Sequence, residues 1–190
     1  MTTEYEFMIL DWIQAHLRCG FLDVIMPKIT LLGNAGLFWI LLTMVLLAFP
    51  RTRVLGVASA LALLCDVLMV NVALKHIFMR PRPYELREVL LSITAPTDTS
   101  FPSGHTAASF ASACALMMMG RVCPSVKNFS RALGIPALVL ATLIAFSRVY
   151  LYVHFPTDVL GGLVCGITCG FLGSRIAVFL KAKYEEYSAI

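Results

Sequence analysis

Five apolar runs of near-spanning length leave this chain few folds to choose from. A helix rising about 1.5 Å per residue takes roughly 20 apolar residues to cross the hydrocarbon core of a bilayer. The runs extend from about Leu31 to Phe49, closed by Pro50 and Arg51; from Val54 to Leu74, closed by Lys75; from His105 to Met119; from Leu133 to Leu151; and from Val159 to Leu180. The third is short, so it is expected to reach Val122 or to be sheltered by its neighbours. Arg175 lies near the end of the last run, where its side chain can snorkel to the interface. A hydrophobic content of 59%, a charged content of 14% and a mean hydropathy of +0.83 agree with a bilayer environment and exclude a soluble domain of this size.

Ahead of these runs, Phe7, Leu10, Ile13 and Leu17 recur at helical spacing with Glu6, Asp11 and Gln14 between them. One face is apolar and the other polar, which predicts an interfacial helix rather than a sixth span. The same segment is acidic before it is basic and carries no small-residue cleavage site, so it is expected to remain on the protein. No linker, low-complexity tract or long-period repeat divides the chain. The expectation is an all-α integral membrane bundle of about five transmembrane helices plus the N-terminal interfacial helix, with residues 1–190 forming one domain.

The net charge of +4 does not point to nucleic acid, because the basic residues sit in short loops between runs and form no basic face. If the runs alternate, one side holds Arg51, Arg53, Arg121, Lys127, Arg131, Arg175, Lys181 and Lys183. The other holds Arg18, Lys28, Lys75, Arg80, Arg82, Arg87 and Arg148. Lys75, Arg82 and Arg148 are candidate site residues; setting those three aside from the seven leaves eight against four. The positive-inside rule then puts the first group in the cytoplasm and the loops of the second group outside.

None of the six cysteines forms a CxxC pair, and four lie in apolar runs. Cys165 and Cys169 share a helix face without a histidine or carboxylate beside them, so neither a metal site nor a disulfide framework is implied. Gly162, Gly166 and Gly170, followed by Gly173, form a small-residue stripe suited to close helix packing. Asp66 and Asn71 sit inside the second run and need partners in the bundle, either as a structural polar network or as part of a site.

Three polar islands interrupt this apolar background: KHIFMRPRP at Lys75 to Pro83, PSGH at Pro102 to His105, and SRVYLYVHFPTD at Ser147 to Asp158. All fall on the same predicted side, at the ends of the second and fourth runs and the starts of the third and fifth, so they can converge. In the first, Lys75 and Arg82 flank a backbone stiffened by Pro81; the pair reads equally as an anion clamp or as an anchor for lipid headgroups. In the second, Ser103 and Gly104 precede a helix whose free amides and dipole attract anions, with His105 in its first turn. Alone, that tetrapeptide could be only a helix cap. In the third, Arg148 lies six residues before His154, and Asp158 follows it by one helical turn, where a carboxylate can orient the imidazole and stabilise its cation.

Together the islands resemble the signature of the type 2 phosphatidic acid phosphatase superfamily. That signature is a lysine, six residues and Arg-Pro; then Pro-Ser-Gly-His; then Ser-Arg, five residues, His, three residues and Asp. Lys75, Arg82 and Pro83, Pro102 to His105, and Ser147, Arg148, His154 and Asp158 match it throughout, although the N-terminal segment is shorter than in six-span members. The resemblance implies that His154 attacks phosphorus to form a phosphohistidine with Asp158 in support. It also implies that His105 protonates the leaving oxygen, and that Lys75, Arg82, Ser103, Gly104 and Arg148 hold the phosphoryl oxygens, with no metal or cofactor.

Only Tyr84 to Phe101 separates the first two islands, too little for a folded headgroup-recognition domain. The expected substrate is therefore a lipid phosphate or diphosphate in a plasma membrane, met by an outward-facing site. The resemblance to small bacterial members favours undecaprenyl diphosphate, ahead of phosphatidylglycerol phosphate and phosphatidic acid. A lipid phosphotransferase and a non-catalytic phospholipid-binding membrane protein are the alternatives; soluble vanadate-dependent haloperoxidases share the signature but not the five runs. The oligomeric state has no signal in the sequence.

Overall fold

The computed structural model describes residues 2–188, and among them helices are the only regular elements. In chain order they are α1 (Thr2–His16), α2 (Gly20–Leu31), a 3₁₀ turn (Asn34–Gly36) and α3 (Leu37–Ala48). Next, α4 (Arg53–Asp66) passes through a π-helical stretch (Val67–Leu74) into α5 (Lys75–Phe78), and the short α6 (Pro83–Leu86) follows. The last three are α7 (Gly104–Val122), α8 (Lys127–Tyr150) and α9 (Pro156–Ser188).

Among the described residues, three stretches are long and apolar enough to cross a membrane: Arg53–Leu86, Pro124–Tyr150 and Pro156–Tyr187. A fourth crossing is possible only if α2 and α3 count together, and they are bent by 47°. This corrects the expected first span. The chain is not one helix from Leu31 to Phe49, because Ala35 (φ 50°) and Gly36 (φ 65°) take left-handed conformations that break it. Instead α2 supplies the other arm, and its Asp23, Pro27 and Lys28 kept it from reading as apolar.

The short third run is α7, whose 19 residues span about 28 Å at the usual helical rise. It packs against α4, α8 and α9, so its middle is alanine and serine facing protein rather than large apolar side chains facing lipid. Its low hydropathy is a consequence of that central place. A chain of buried hydroxyls ties it inward: Trp39 Nε1 donates to Ser109 Oγ at 2.9 Å, and Ser59 Oγ lies 2.7 Å from Thr43 Oγ1 and 2.8 Å from Ser112 Oγ. Each of these hydroxyls thus finds a partner without water.

The glycine stripe of α9 lies directly on α7. A methyl added at Gly162 would stand 2.6 Å from the Ser103 carbonyl oxygen, at Gly166 2.6 Å from that of Ala107, and at Gly170 2.7 Å from Cys114 Cβ. Gly173 meets α4 in the same way, 2.6 Å from the Ala62 nitrogen. Only residues without a Cβ permit this approach, as the spacing predicts.

The N-terminal helix differs from a simple interfacial one. α1 buries Phe7 and Leu10 against Tyr152 and Phe155, and Ile13 joins a cluster with Tyr150 and Val153. It therefore lies across the third polar island. Glu6, Asp11 and Gln14, expected on the polar face, are engaged instead: Glu6 with Arg80 and Thr157, Asp11 with Arg87 and Tyr152, and Gln14 with the Tyr150 carbonyl. Tyr5, Met8 and Trp12 take the outward side.

The α7–α9 contact leads to a stability prediction. Gly166→Leu should lower stability by about 1–3 kcal/mol, the usual cost of overpacking, measured by thermal unfolding in detergent. Gly20→Ala, where an added methyl meets nothing within 4 Å, serves as the control and should change stability little.

Candidate functional site

The residues flagged in the three islands meet at one end of the bundle. α9 begins where α7 begins, because the Ser103 amide donates to the Asp158 carbonyl at 3.0 Å. The first island is stitched alongside by the Ser100 amide, which donates to the Arg80 carbonyl at 2.8 Å. Two left-handed residues shape the approach: Met79 (φ 39°) ends α5 before the Arg-Pro-Arg-Pro stretch, and Tyr152 (φ 61°) turns the chain between α8 and α9. Such conformations in non-glycine residues are held only where the surroundings over-determine them.

His154 is the centre of the arrangement, with 1% of its surface exposed. Its Nε2 lies 3.1 Å from Arg82 Nη1. An arginine can only donate, so that contact assigns an unprotonated lone pair to Nε2 and the ring proton to Nδ1. On the Nδ1 side, Asp158 Oδ2 is 3.6 Å away, and Ser100 Oγ is 3.5 Å from Nδ1 while donating to Asp158 Oδ2 at 2.5 Å. The Phe155 amide also donates to that carboxylate oxygen, at 2.8 Å. Burial, followed by the charges of Arg82, Arg148 and Lys75, pushes the His154 pKa well below its ordinary 6.5, with only Asp98 pulling the other way. The ring is therefore neutral at pH 7.

The predicted oxyanion-holding groups surround this ring. Arg82 is 2% exposed and Arg148 1%. Arg82 also donates to the Val153 and Asp98 carbonyls, each at 2.7 Å, which holds its guanidinium in place. Arg148 Nη1 donates to Thr30 Oγ1 at 2.5 Å, but its Nε and Nη2 are buried without a hydrogen-bond partner among the described residues. Orphaned buried donors are rare and costly, and a planar guanidinium with two free N–H groups matches the oxygens of a phosphate.

Ser103 caps α7, with its hydroxyl accepting from the Thr106 amide. A methyl on Gly104 would meet Asn71 Oδ1 at 3.5 Å and Lys75 Nζ at 3.6 Å; these are ordinary contacts, so a side chain there would narrow the space beside Lys75 without clashing. His105 is held by Asn34, whose amide oxygen lies 2.8 Å from Nε2. A cavity of about 320 Å³ opens against Lys75, Gly104 and His105 and reaches down to Asn71 and Asp66. Asp66 Oδ1 is buried there without a hydrogen-bond partner among the described residues, so the polar network considered for it in the second run does not close around it. A second cavity of the same size adjoins His105, Arg148, Asn34 and Thr30.

Several participants carry no signature in the sequence. Asp98, in the loop before PSGH, forms ion pairs with Lys75 and with Arg82 Nη2, the latter at 2.6 Å. It occupies the two cations assigned to a phosphate. Burial opposes its ionisation, but Lys75 and Arg82 outweigh burial and hold its pKa at about 2. Ser100, Arg80, Glu6, Asn34 and Thr30 likewise became visible only through contacts across long sequence separations. The one available hint was the repeat of Arg-Pro at Arg80 and Arg82.

The chain matches the PAP2 superfamily over residues 37–181. It is 32% identical over 114 residues to "Undecaprenyl-diphosphatase BcrC" of Bacillus subtilis, covering 60% of this chain and 54% of that protein. It is 30% identical over 139 residues to "Undecaprenyl-diphosphatase" of Sulfolobus acidocaldarius, covering 73% and 63%. The aligned part thus spans less than two thirds of these curated relatives. Among solved structures, a transmembrane PAP2-type phosphatidylglycerolphosphate phosphatase from Bacillus subtilis superimposes with a TM-score of 0.74 at 28% identity, covering 92% of this chain and 85% of that one. The chain belongs to the PAP2 superfamily and is a multi-pass membrane protein.

Asp98 holds the two cations that the sequence assigns to a phosphate, Lys75 and Arg82, and at a pKa of about 2 it stays charged in ordinary assays, so only substitution removes it. Two partly exposed ion pairs of about 0.2–1 kcal/mol each correspond to at most roughly a thirtyfold change. Asp98→Asn should therefore bind orthovanadate about two- to thirtyfold more tightly, measured by calorimetry on the purified protein. Unchanged affinity would show that the carboxylate does not occupy the anion position.

Proposed function

We propose that residues 1–190 form a single membrane-embedded phosphatase domain that hydrolyses a lipid phosphate or diphosphate through a phosphohistidine, without a metal. The observation that carries this reading is the lone pair of His154 Nε2, aimed at Arg82 within a cluster of buried cations. A neutral imidazole in that field is a nucleophile placed where a phosphoryl group is attracted, and phosphoryl transfer depends mainly on such positioning and charge stabilisation.

In the proposed reaction, Nε2 bonds to the terminal phosphorus as the bond from that phosphorus to its bridging oxygen breaks, and His105 gives a proton to that oxygen, which departs on the lipid alcohol of a monophosphate or on the lipid phosphate of a diphosphate. Lys75, Arg82, Arg148 and the α7 start at Ser103 and Gly104 hold the phosphoryl oxygens. Asp158 supports the positive charge that develops on His154 while the bond forms. Water then attacks the phosphohistidine, its proton passes to His105, and phosphate leaves. Because the acid and the nucleophile require opposite protonation states, the rate should rise and fall with pH.

The substrate proposed first is undecaprenyl diphosphate, supported by the names of two relatives. Phosphatidylglycerol phosphate, named for the superimposed structure, and phosphatidic acid follow. An outer-face site in a plasma membrane is proposed with it, supported by the loop charges read with the positive-inside rule.

Phosphate release from purified protein, assayed against these three lipids in EDTA, tests the reading. Release is expected without added metal, with the highest kcat/KM on undecaprenyl diphosphate. His154→Ala should lower kcat about 10³-fold or more by removing the nucleophile. A second expectation concerns pH: the acid limb of kcat/KM should have its midpoint below 6.5, because the His154 pKa lies below that value, and the full profile should be bell-shaped. A monotonic profile would oppose paired acid and nucleophile roles for the two histidines.

A further inference from the structure

Asp158 is not held by α9 alone. Its Oδ2 is taken by Ser100, the Phe155 amide and the approach of His154 Nδ1, whereas its Oδ1 accepts from Arg80 Nη1 at 2.7 Å. The same Arg80 nitrogen donates to Thr157 Oγ1 at 2.7 Å, and the guanidinium carbon lies 4.1 Å above the Phe155 ring. On its other side, Arg80 Nη2 donates to Glu6 Oε2 at 2.5 Å. Glu6 Oε1 accepts from both the Thr157 hydroxyl and the Thr157 amide. Glu6 is 6% exposed and Asp158 fully buried, so these charges interact where solvent screens them little.

We infer that Arg80 and Glu6 are positioning residues for the phosphoryl-transfer step, with α1 acting through Arg80 to set the orientation of Asp158 and the share of its negative charge left to His154. The inference rests on the phosphohistidine reading. Arg80 draws on the Asp158 carboxylate, and Glu6 draws on Arg80 in turn, so the two substitutions act oppositely on the charge that His154 experiences. The sequence separation of 74 residues between Glu6 and Arg80 makes this a tertiary device, in which an N-terminal helix outside the matched family region adjusts the catalytic pair.

The groups facing His154 come from every neighbouring element. Lys75 of α5, Arg82 before α6 and Arg148 of α8 are cationic, while Asp98 of the loop and Asp158 of α9 are anionic; His105 of α7 shares the cluster. Arg80 and Glu6 add one charge of each sign behind Asp158. Removing the negative charge at Glu6 leaves Arg80 uncompensated and makes protonation of His154 harder. Removing the positive charge at Arg80 frees Asp158 for His154 and makes protonation easier.

The test is the pH dependence of kcat/KM for phosphate release from the best lipid substrate, in wild type, Glu6→Gln, Arg80→Gln and Arg80→Lys. Folding of each is checked by gel filtration and thermal unfolding in detergent. Glu6→Gln should move the acid limb to lower pH and Arg80→Gln to higher pH, each by roughly half a unit. Arg80→Gln should also reduce kcat by about 10- to 100-fold through misplacement of Asp158, and Arg80→Lys should restore the wild-type limb with part of the rate. Folded variants whose limbs coincide with wild type, or move the same way, would overturn the inference. An inactive wild type would instead fail the phosphatase reading itself.

Discussion

Positive charge concentrated in a confined place is the constraint from which the rest of this site follows. Arg82, Arg148 and Lys75 are buried within one cluster, at the end of a bundle whose interior cannot solvate them. Such a group of like charges stands only if anions or oriented carbonyl oxygens answer it. Asp98 answers Lys75 and Arg82, carbonyl oxygens answer Arg82 further, and Arg148 keeps two donors without a partner among the described residues. Burial first, and then the same field, keep His154 neutral, with its lone pair turned toward the cations. In the proposed reaction, attraction for a phosphoryl group and a neutral imidazole beside it would both come from this burial and charge distribution.

Bringing those charges together is the work of backbone packing rather than of the charges themselves. α9 lies on α7 at distances that only glycine permits, and that contact continues to the helix ends, where the Ser103 amide meets the Asp158 carbonyl. The second and third islands are therefore joined by the small-residue stripe. α7 is in turn surrounded by α4, α8 and α9, which explains both its alanine- and serine-rich composition and the buried hydroxyl chain through Thr43, Ser59 and Ser112. A helix that faces protein on all sides needs small residues more than apolar ones.

The outer ring of the site is built from segments of modest appearance. The loop between the first two islands is too short for a domain, yet it supplies Asp98 and Ser100. α1 has the pattern of a surface helix, yet it places Glu6 against Arg80 and lays Phe7 and Leu10 on the chain that presents His154. Asp158, shared among Arg80, Ser100 and His154, and Glu6 behind Arg80 link α1 to His154.

Local pattern determined the helical class and the identity of the three islands. Each depends on interactions within about one helical turn or on the solvation of a continuous segment, and both are written in neighbouring residues. The glycine stripe was readable for the same reason, since its four-residue spacing marks one helix face whatever lies opposite. Tertiary structure alone decided the break at Ala35 and Gly36, because an apolar run does not reveal that its backbone turns left-handed. It also decided that Asp98 would occupy Lys75 and Arg82, that Asn34 would hold His105, and that Glu6 would turn inward to Arg80. Those choices depend on which distant charges end up facing one another once helices pack, and single charged residues in loops carry no periodicity that could foretell it.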